Sequence, residues 1–378
     1  ITPNVPLLMS IHRNVKQEGS KEKFINKNPS NLPMILGLLF LILHFSEPLA
    51  YFVIIKDRKI EEVGAEGYKP VSIIIPTYNE GDKIKDKLLN VINSYPLDYA
   101  EIILVDSSTD NTVEVAKSLG IPIKVIKEER RGKIFAVKEG IRNASNDIVV
   151  ITDADALWDD PLIDAIKYLK GDVGAVSCIK RSNRGSENAY RNFYNVIRLA
   201  ESAIYSTPIF HGELTAFRKS LLPPDEIPDA GADDSSIATL IALKGYRAIC
   251  TKVRAFEYSP RGLEYLSWKT RRGLHLVRHF VRFLPKVLRS KNRKYKVIFL
   301  EEFYLHLINP WFLILGIVLT AVYLPKLFLF LLLVLLIAVI IPQGRELVKA
   351  WIPNQIFLII AQFRALKGEH LMWKKESK

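Results

Sequence analysis

Four β-branched apolar residues in a row, Ile148-Val149-Val150-Ile151, run straight into Thr152-Asp153-Ala154-Asp155, and this stretch constrains the chain more than any other. A strand with no polar alternation is buried on both faces, as in a parallel sheet covered by helices. In extended backbone, positions i and i+2 point to the same side, so Asp153 and Asp155 can face one hard cation at the carboxyl end of this strand. Open α/β sheets bind their ligands at that edge. Mg²⁺ held by one or two carboxylates takes its remaining ligands from substrate phosphates and water. The same residues also fit a strand that simply closes in an Asp-rich turn.

The surrounding pattern places that strand in a regular alternation. Val71-Ser72-Ile73-Ile74-Ile75 predicts a strand, followed by the loop Pro76-Thr77-Tyr78-Asn79-Glu80 and helical spacing over residues 83–93. Glu101-Ile102-Ile103-Leu104-Val105 predicts a second strand ending at Asp106, then a helix over 112–119 closed by Gly120. A short strand over 123–126 and a helix over 132–141 lead into the central strand, followed by a helix over 161–169 and a strand over 173–177. This βαβ rhythm predicts a parallel sheet with helices on both faces. An amphipathic helix over about 188–205, an extended 214–218, a helix over 234–244 and a strand over 247–251 complete the unit.

The 378 residues are 49% hydrophobic yet 25% charged, which suggests a folded domain joined to membrane segments. The net charge of +13 calls for a polyanionic partner: anionic lipid, a phosphorylated substrate or nucleic acid. The two cysteines, Cys178 and Cys250, have no metal-ligand spacing and read as core residues of a protein in a reducing compartment. Residues 1–30 are expected to be a loosely ordered arm. Residues 31–55 are apolar over a bilayer's width and lack a small-residue cleavage site, which predicts a retained transmembrane helix. His44, Glu47 and Pro48 interrupt it, at an interface or against another helix. Residues 261–296 hold twelve Lys or Arg against one acid, Glu264, with Leu, Trp, Phe and Val interleaved. That composition predicts basic amphipathic helices lying on an anionic membrane surface; the flanking apolar segments favour lipid over nucleic acid as partner. Residues 303–341 read as a transmembrane hairpin turning at Leu324-Pro325-Lys326, and residues 346–378 as an interfacial helix with a basic tail. The positive-inside rule then makes the protein multi-pass in the cell membrane, with its α/β domain cytoplasmic.

Acidic residues fall at the structurally meaningful places. Glu80 follows the first strand, Asp106 ends the second, Asp153 and Asp155 end the central one, and Asp233-Asp234 opens a helix. Two adjacent carboxylates exceed what an N-cap needs. Arg130-Arg131-Gly132-Lys133 is a basic turn into a helix, suited to phosphate.

With these pieces in this order, residues 71–260 resemble the family 2 glycosyltransferases. The resemblance rests on Ile75-Pro76-Thr77-Tyr78-Asn79-Glu80, Val105-Asp106-Ser107-Ser108-Thr109-Asp110, Arg131-Gly132-Lys133, Asp153-Ala154-Asp155 and Asp233-Asp234. Over residues 31–378 the layout is similar to membrane-integrated members such as hyaluronan and cellulose synthases. The resemblance implies an α/β domain of the GT-A (Rossmann-like) fold over residues 69–260, with interface and transmembrane helices, that binds a nucleotide-diphosphate sugar, most of all a UDP-sugar. It implies that Pro76, Thr77, Tyr78 and Glu80 line the nucleoside pocket and that Asp106 contacts base or ribose. Arg131, Lys133 and Asp153 would lie near the nucleotide, and Asp155, with Asp153, would hold Mg²⁺ or Mn²⁺. Asp234 matches the catalytic base, Asp233 stands where Glu is usual, and His211-Gly212-Glu213 occupies the acceptor-binding segment.

Where the synthases carry Q-x-x-R-W on the interface helix, this chain has Lys269-Thr270-Arg271-Arg272-Gly273, keeping the Arg and losing the Trp. Lys269 and Arg272, three apart, share a helix face, and Arg271 is expected to point away, toward lipid headgroups. Gly273 would open space, and two cations favour an acceptor phosphate, with Arg272 also stabilising the leaving diphosphate. The expected activity is inverting sugar transfer to a membrane lipid or lipid-linked saccharide. A processive polysaccharide synthase is the alternative, and a non-catalytic protein that binds phosphorylated lipids is the alternative of another class.

Overall fold

A computed structural model describes residues 31–64 and 66–368. The expected N-terminal arm and the end of the basic tail lie outside the described residues.

The central element is an eight-stranded sheet. Its first half is β1 (Val71–Thr77), β2 (Ala100–Asp106), β3 (Ile123–Lys127) and β4 (Ile148–Ile151), parallel in the order β3-β2-β1-β4. Helices α2 (Ile84–Ser94) and α3 (Thr112–Ser118) cover one face, where Leu88, Val91 and Val113 meet Ile73, Leu104 and Val150. Helix α4 (Lys133–Asn143) and helix α7 (Asp233–Leu243) cover the other, where Val137, Ile141 and Ile237 meet Ile74, Ile103 and Val149. Burying each such side chain is worth about 1.5–3 kcal/mol, which is why the strand residues alternate neither in polarity nor in exposure.

The second half departs from the all-parallel expectation. Strand β7 (Thr215–Arg218) lies antiparallel between β4 and β6 (Val173–Ser182), β8 (Arg247–Glu257) is parallel to β6, and β5 (Ala156–Trp158) is antiparallel at the edge. The reason is local. The loop before β7 sits at the carboxyl end of β4, where the Asp153 amide donates to the Gly212 carbonyl at 3.1 Å. A chain that enters the sheet from that end has to run back against β4. The Asp153-Ala154-Asp155 segment also differs from the expected extended form. Its backbone turns between β4 and β5, closed by the Ala156 amide donating to the Asp153 carbonyl at 3.3 Å.

Helix α5 (Ile163–Ile166) is a single turn, shorter than expected, and α6 (Gly185–Ile204) is the long amphipathic helix. Helix α8 (Gly262–Arg289) is one continuous 28-residue helix. Its apolar stripe, Trp268, Leu274, Val277, Phe280 and Phe283, is buried against protein and does not face lipid as the composition suggested; Leu263, Val281 and Leu288 remain exposed. The covering elements are α7, α9 (Arg293–Phe303), which directly follows α8, and α12 (Pro342–Leu366), which is distant in sequence.

Among the described residues, two helices are long and apolar enough to cross a bilayer, α1 (Leu32–Ile55) and the run Arg293–Tyr323, which joins α9 through a π-helical turn at Tyr304–Ile308 to α10 (Asn309–Tyr323). The second run starts ten residues earlier than the sequence suggested, because Tyr295 and Phe299 pack into the core of the sheet domain. Helix α11 (Pro325–Ile340) and α12 are bent by 116° at their junction and together could form a third span. Helix α12 has 25 residues and starts four residues before the expected interfacial helix, and its amides face protein: Gln362 accepts from the Trp311 indole at 3.0 Å and donates to the Leu307 carbonyl at 3.1 Å. His44 faces another helix, accepting from the Trp351 indole at 2.9 Å, so its other ring nitrogen donates to the Asn309 carbonyl at 3.0 Å. Phe52 stacks on Phe193 at 5.1 Å and Tyr51 donates to Glu201 at 3.0 Å, which ties α1 to α6 and hence to the sheet domain.

Candidate active site

A cavity of about 570 Å³ opens at the carboxyl ends of the parallel strands, roofed by α8. Asp153 and Asp155 line it from the β4–β5 turn, Lys133 from the first residue of α4, and Asp233 and Asp234 from the first two residues of α7. Two helix N-termini therefore aim at the same space, each carrying partial positive charge from its unpaired amides. The Lys133 ammonium lies 2.7 Å from Asp153 Oδ1 and 3.4 Å from Asp233 Oδ2, bridging the two acidic motifs. Burial opposes its charge, but Asp153, Asp233 and Asp234 together hold it well above the ordinary lysine value.

Asp234 is not a helix cap. Ala232 occupies the N-cap of α7, and Asp234 Oδ1 accepts the Ser235 amide at 2.6 Å. Burial, reinforced by the neighbouring Asp233 charge, pushes its carboxyl up to about 7. A carboxylate tuned to that range is matched to proton transfer near neutral pH.

Among the described residues no group of three or more His, Cys, Asp or Glu is arranged to hold a metal ion. Of the cavity's carboxylates, Asp153 and Asp155 share the β4–β5 turn, two residues apart. That donor set fits a hard divalent cation whose other ligands are diphosphate oxygens and water. Gly212 leaves room for the Asp153–Lys133 pair, since a Cβ there would stand 2.8 Å from Asp153 Oδ2 and 2.9 Å from the Lys133 ammonium. Both are ends of flexible side chains, so the Gly212→Ala change should displace the ion pair rather than unfold the protein. We expect at least a tenfold loss of turnover with the thermal midpoint shifted by only a few degrees. Equal loss of midpoint and activity would make Gly212 a folding residue.

A smaller pocket adjoins at Gly132 and Lys133, lined by Pro76, Thr77, Tyr78, Ser107 and Arg130. The Arg130 guanidinium lies 3.8 Å over the Tyr78 ring, so the pocket is walled by a planar cation on an aromatic face. Two other expected members stand behind this wall. Asp106 is fully buried at the end of β2, accepting from Thr77 Oγ1 at 2.8 Å and pairing with Lys127 at 2.6 Å. Glu80 is buried, with its amide donating to Thr112 Oγ1 at 2.9 Å, and lines neither cavity. Arg131 lines the main cavity and pairs with Glu128.

The acceptor-side residues divide. His211 and Gly212 line the main cavity, and burial together with Lys180 keeps the His211 imidazole neutral. Glu213 is buried beside it, pairing with Lys180 at 2.5 Å and Arg272 at 3.6 Å.

On α8 the expected orientations are corrected. Arg271 lines the main cavity, followed by His275 and Arg278 at i+4 and i+7 on the same face. Lys269 turns the other way, 2.7 Å from Glu187 and 4.7 Å over the Tyr190 ring, and lines a separate cavity. Arg272 reaches both cavities and pairs with Glu257 at 2.6 Å. Gly273 borders that separate cavity and not the main one. A Cβ there would stand 3.0 Å from Ala361 Cβ, because α12 packs directly on it. No Trp can occupy that position without displacing α12. The aromatic wall is instead Trp268, one helical turn before Arg272, whose guanidinium lies 4.3 Å over its ring.

Sequence reasoning missed Lys180, Glu257, Trp268, His275 and Arg278. For Trp268 a signal existed in its i, i+4 spacing from Arg272. Lys180 and Glu257 carried none, since each finds its partners only when β6 and β8 are paired.

Residues 72–223 match the family described as Glycosyl transferase family 2. The mannosyltransferase PcManGT from Pyrobaculum calidifontis, solved in complex with GDP-Man and Mn²⁺, is 38% identical, with a TM-score of 0.79 over 89% of this chain and 100% of that one. A poly-beta-1,6-N-acetyl-D-glucosamine synthase of Staphylococcus aureus (strain MSSA476) is 28% identical over 229 residues, 56% of this chain and 54% of its own. The dolichyl N-acetyl-alpha-D-glucosaminyl phosphate 3-beta-D-2,3-diacetamido-2,3-dideoxy-beta-D-glucuronosyltransferase of Methanococcus voltae is 33% identical over 160 residues, 38% of this chain and 46% of its own. The chain thus spans about half the length of these curated relatives. The mixed sheet is the GT-A fold, and with Asp153-Ala154-Asp155 and Asp233-Asp234 meeting at one cavity, the chain belongs to glycosyltransferase family 2.

Proposed function

We propose that this glycosyltransferase transfers a sugar, with inversion, from a nucleotide-diphosphate donor to a membrane lipid or lipid-linked saccharide. The observation that carries the reading is the meeting of Asp153, Asp155, Lys133 and Asp234 with the cationic face of α8 in one cavity. In the reaction, Asp234 takes the proton from the acceptor hydroxyl. The freed oxygen forms its bond to the anomeric carbon as the bond to the nucleoside diphosphate breaks. Lys133 and Arg272, which both line the cavity, would stabilise the departing diphosphate. A divalent cation, Mg²⁺ or Mn²⁺, held by Asp155 and Asp153 would neutralise the same leaving group. A single carboxylate base acting on the acceptor supports direct displacement.

The nucleoside would stack in the pocket of Tyr78 and Arg130. The resemblance of the motifs suggested UDP; the GDP-Man bound by the 38% identical mannosyltransferase supports a guanosine donor, and we propose GDP-mannose. On the acceptor side, Arg271, His275 and Arg278 form a cationic row into which a phosphate fits. Burial, aided by Arg271, holds His275 down to about 4, so it is neutral there and can accept or donate a hydrogen bond. The two apolar spans and the packing of α1 on the sheet domain support a membrane-held enzyme that works at the bilayer surface, with its catalytic domain cytoplasmic.

The test is hydrolysis and transfer by the purified full chain with GDP-mannose, UDP-glucose and UDP-N-acetylglucosamine, each with Mn²⁺, Mg²⁺ or chelator. Metal-dependent turnover of GDP-mannose at least tenfold above the UDP-sugars is expected. Preference for a UDP-sugar would return the donor to the first expectation, and no turnover of any donor would overturn the reading. Similarity to the poly-N-acetylglucosamine synthase supports a second reading, processive synthesis. Long polymer made on a free oligosaccharide, without lipid, would favour it.

A further inference from the structure

Helix α2 packs against β5, and one residue of its buried face is not apolar. Ile84, Leu88 and Val91 share that face with Lys87, whose side chain is fully buried. Burying an ammonium is costly, and a Leu or Met would fill the same space without that cost. Among the described residues the Lys87 ammonium makes no ion pair. It donates one hydrogen bond, to the Ala156 carbonyl at 2.8 Å, and lies 4.2 Å over the Trp158 ring. Burial pushes it down to about 7, opposed by the charges of Asp153 and Asp155. In either protonation state the nitrogen keeps a proton to donate to that carbonyl. Lys87 lines neither the main cavity nor the two smaller ones, so it can act on the reaction only through the residues it holds.

Those residues belong to the turn of Asp153 and Asp155. The Ala156 amide donates back to the Asp153 carbonyl at 3.3 Å, while the Ala156 carbonyl accepts from Lys87. Both peptide groups that flank the Ala156 Cα are thereby fixed, and the first of them directly follows Asp155. One helical turn further along α2, Asn90 accepts from the Trp158 amide and donates to the Trp158 carbonyl, both at 2.8 Å. The Trp158 indole donates to the Glu213 carbonyl at 2.8 Å, the same oxygen that accepts from Thr152 Oγ1 at 2.7 Å. The segment from Thr152 to Trp158 is thus pinned at both ends to Glu213 and between them to Lys87. Two carboxylates serve one cation only while their placement holds to within about 0.5 Å, and Lys87 is the α2 contact nearest to Asp155 in the chain.

We propose that Lys87 is a positioning residue for divalent-cation binding: through the Ala156 carbonyl it holds the β4–β5 turn in the shape that brings the Asp153 and Asp155 carboxylates to one cation. This role rests on the metal site of the proposed function and places a further determinant of it outside the cavity. The charge of Lys87 works in the opposite direction. A cation behind the turn repels a metal ion, so if charge were its main influence, its removal would tighten metal binding. If the hydrogen bond governs, its removal loosens binding. The hydrogen bond is the direct contact and the turn's carboxylates stand beyond pairing distance, so loosening is the expected sign.

The experiment titrates Mn²⁺ into the full chain in detergent and follows the electron paramagnetic resonance signal of the free ion, with GDP or UDP present, whichever the wild type binds. Lys87→Met keeps the length of the side chain and removes the donor. It should weaken Mn²⁺ binding roughly tenfold, as loss of a partner behind a metal ligand typically does. Nucleotide affinity in chelator should stay unchanged and the thermal midpoint should move by only a few degrees; a folding role would move both together with the metal. Lys87→Gln, a donor on a shorter side chain, is read in the same way and keeps the test open if the Met variant folds poorly. Mn²⁺ binding as tight as wild type, or tighter, would overturn the proposal. So would a loss of nucleotide affinity in chelator as large as the loss of Mn²⁺ affinity. Wild-type Mn²⁺ binding that survives Asp155→Asn would overturn the metal site itself and this role with it, which separates the two failures.

Discussion

Asp155→Asn is expected to abolish turnover. The amide keeps the size of the side chain and the turn between β4 and β5, so the fold should survive. What is lost is one of the two carboxylates on the β4–β5 turn that would hold a hard cation. Several kcal/mol of charge stabilisation at the leaving diphosphate would go with it, so a fall of roughly 10³-fold or more is anticipated. Nucleotide affinity should fall as well, but only when divalent cation is present. With chelator, wild type and variant should bind nucleotide alike, because the contacts from Lys133 and the basic turn are untouched. Retention of full activity with Mg²⁺ or Mn²⁺ would remove Asp155 from the site. A nucleotide-affinity loss that persists in chelator would point to damage of the turn itself.

Asp234→Asn should separate differently. A base acts in the transition state, so its removal lowers kcat, typically by roughly 10²–10⁴-fold, and leaves donor affinity nearly unchanged. The wild-type kcat/KM should rise with pH through about 7, as Asp234 loses its proton, and the Asn variant should lack that limb. Stability gives an independent sign. The folded-state pKa is raised from 3.8 to about 7, so the folded protein binds this proton more tightly than the unfolded chain. The stability that this proton contributes is present at low pH and is lost as pH rises through about 7. Asn removes that loss, so at neutral pH the variant should melt no lower than wild type. A variant that loses donor affinity or stability while keeping kcat would make Asp234 a structural residue of α7.

Much of the candidate site was legible in order along the chain. The apolar run of β4 announced a strand covered on both faces, because nothing but a buried environment tolerates four consecutive β-branched residues. Asp153, Asp155, Lys133, Asp233 and Asp234 were all named from their positions at strand ends and helix starts, and all five line the same cavity. For Asp153, Asp155 and Lys133 the convergence follows from topology, since in a parallel sheet every strand end and every following helix start faces one edge; Asp233 and Asp234 arrive differently, because α7 follows the antiparallel β7 and the connection over 219–232 returns the chain to the cavity. The expected mechanism of convergence was different, since a turn and not a pleat brings Asp153 and Asp155 to the cavity.

The readings of α8 show where sequence stops. Spacing determined that Lys269 and Arg272 share a face and that an apolar stripe runs beside them, and both hold. It could not say what lies against each face. Helix periodicity reports that a side is apolar, not whether lipid or α12 covers it, and Ala361, which fills the space at Gly273, is 88 positions away in the sequence. Ion pairing is hidden for the same reason. Lys269 looked like a free phosphate ligand until α6 brought Glu187 to within 2.7 Å of it. By itself the sequence determined the strand core, the α1 span and the residues at the ligand edge, because these follow from local pattern and from the handedness and direction of parallel strands. Only the tertiary structure decided the direction of β7, the turn of Arg271 toward the cavity and the substitution of Trp268 for a Trp at position 273, because each depends on which distant surface reaches that point first.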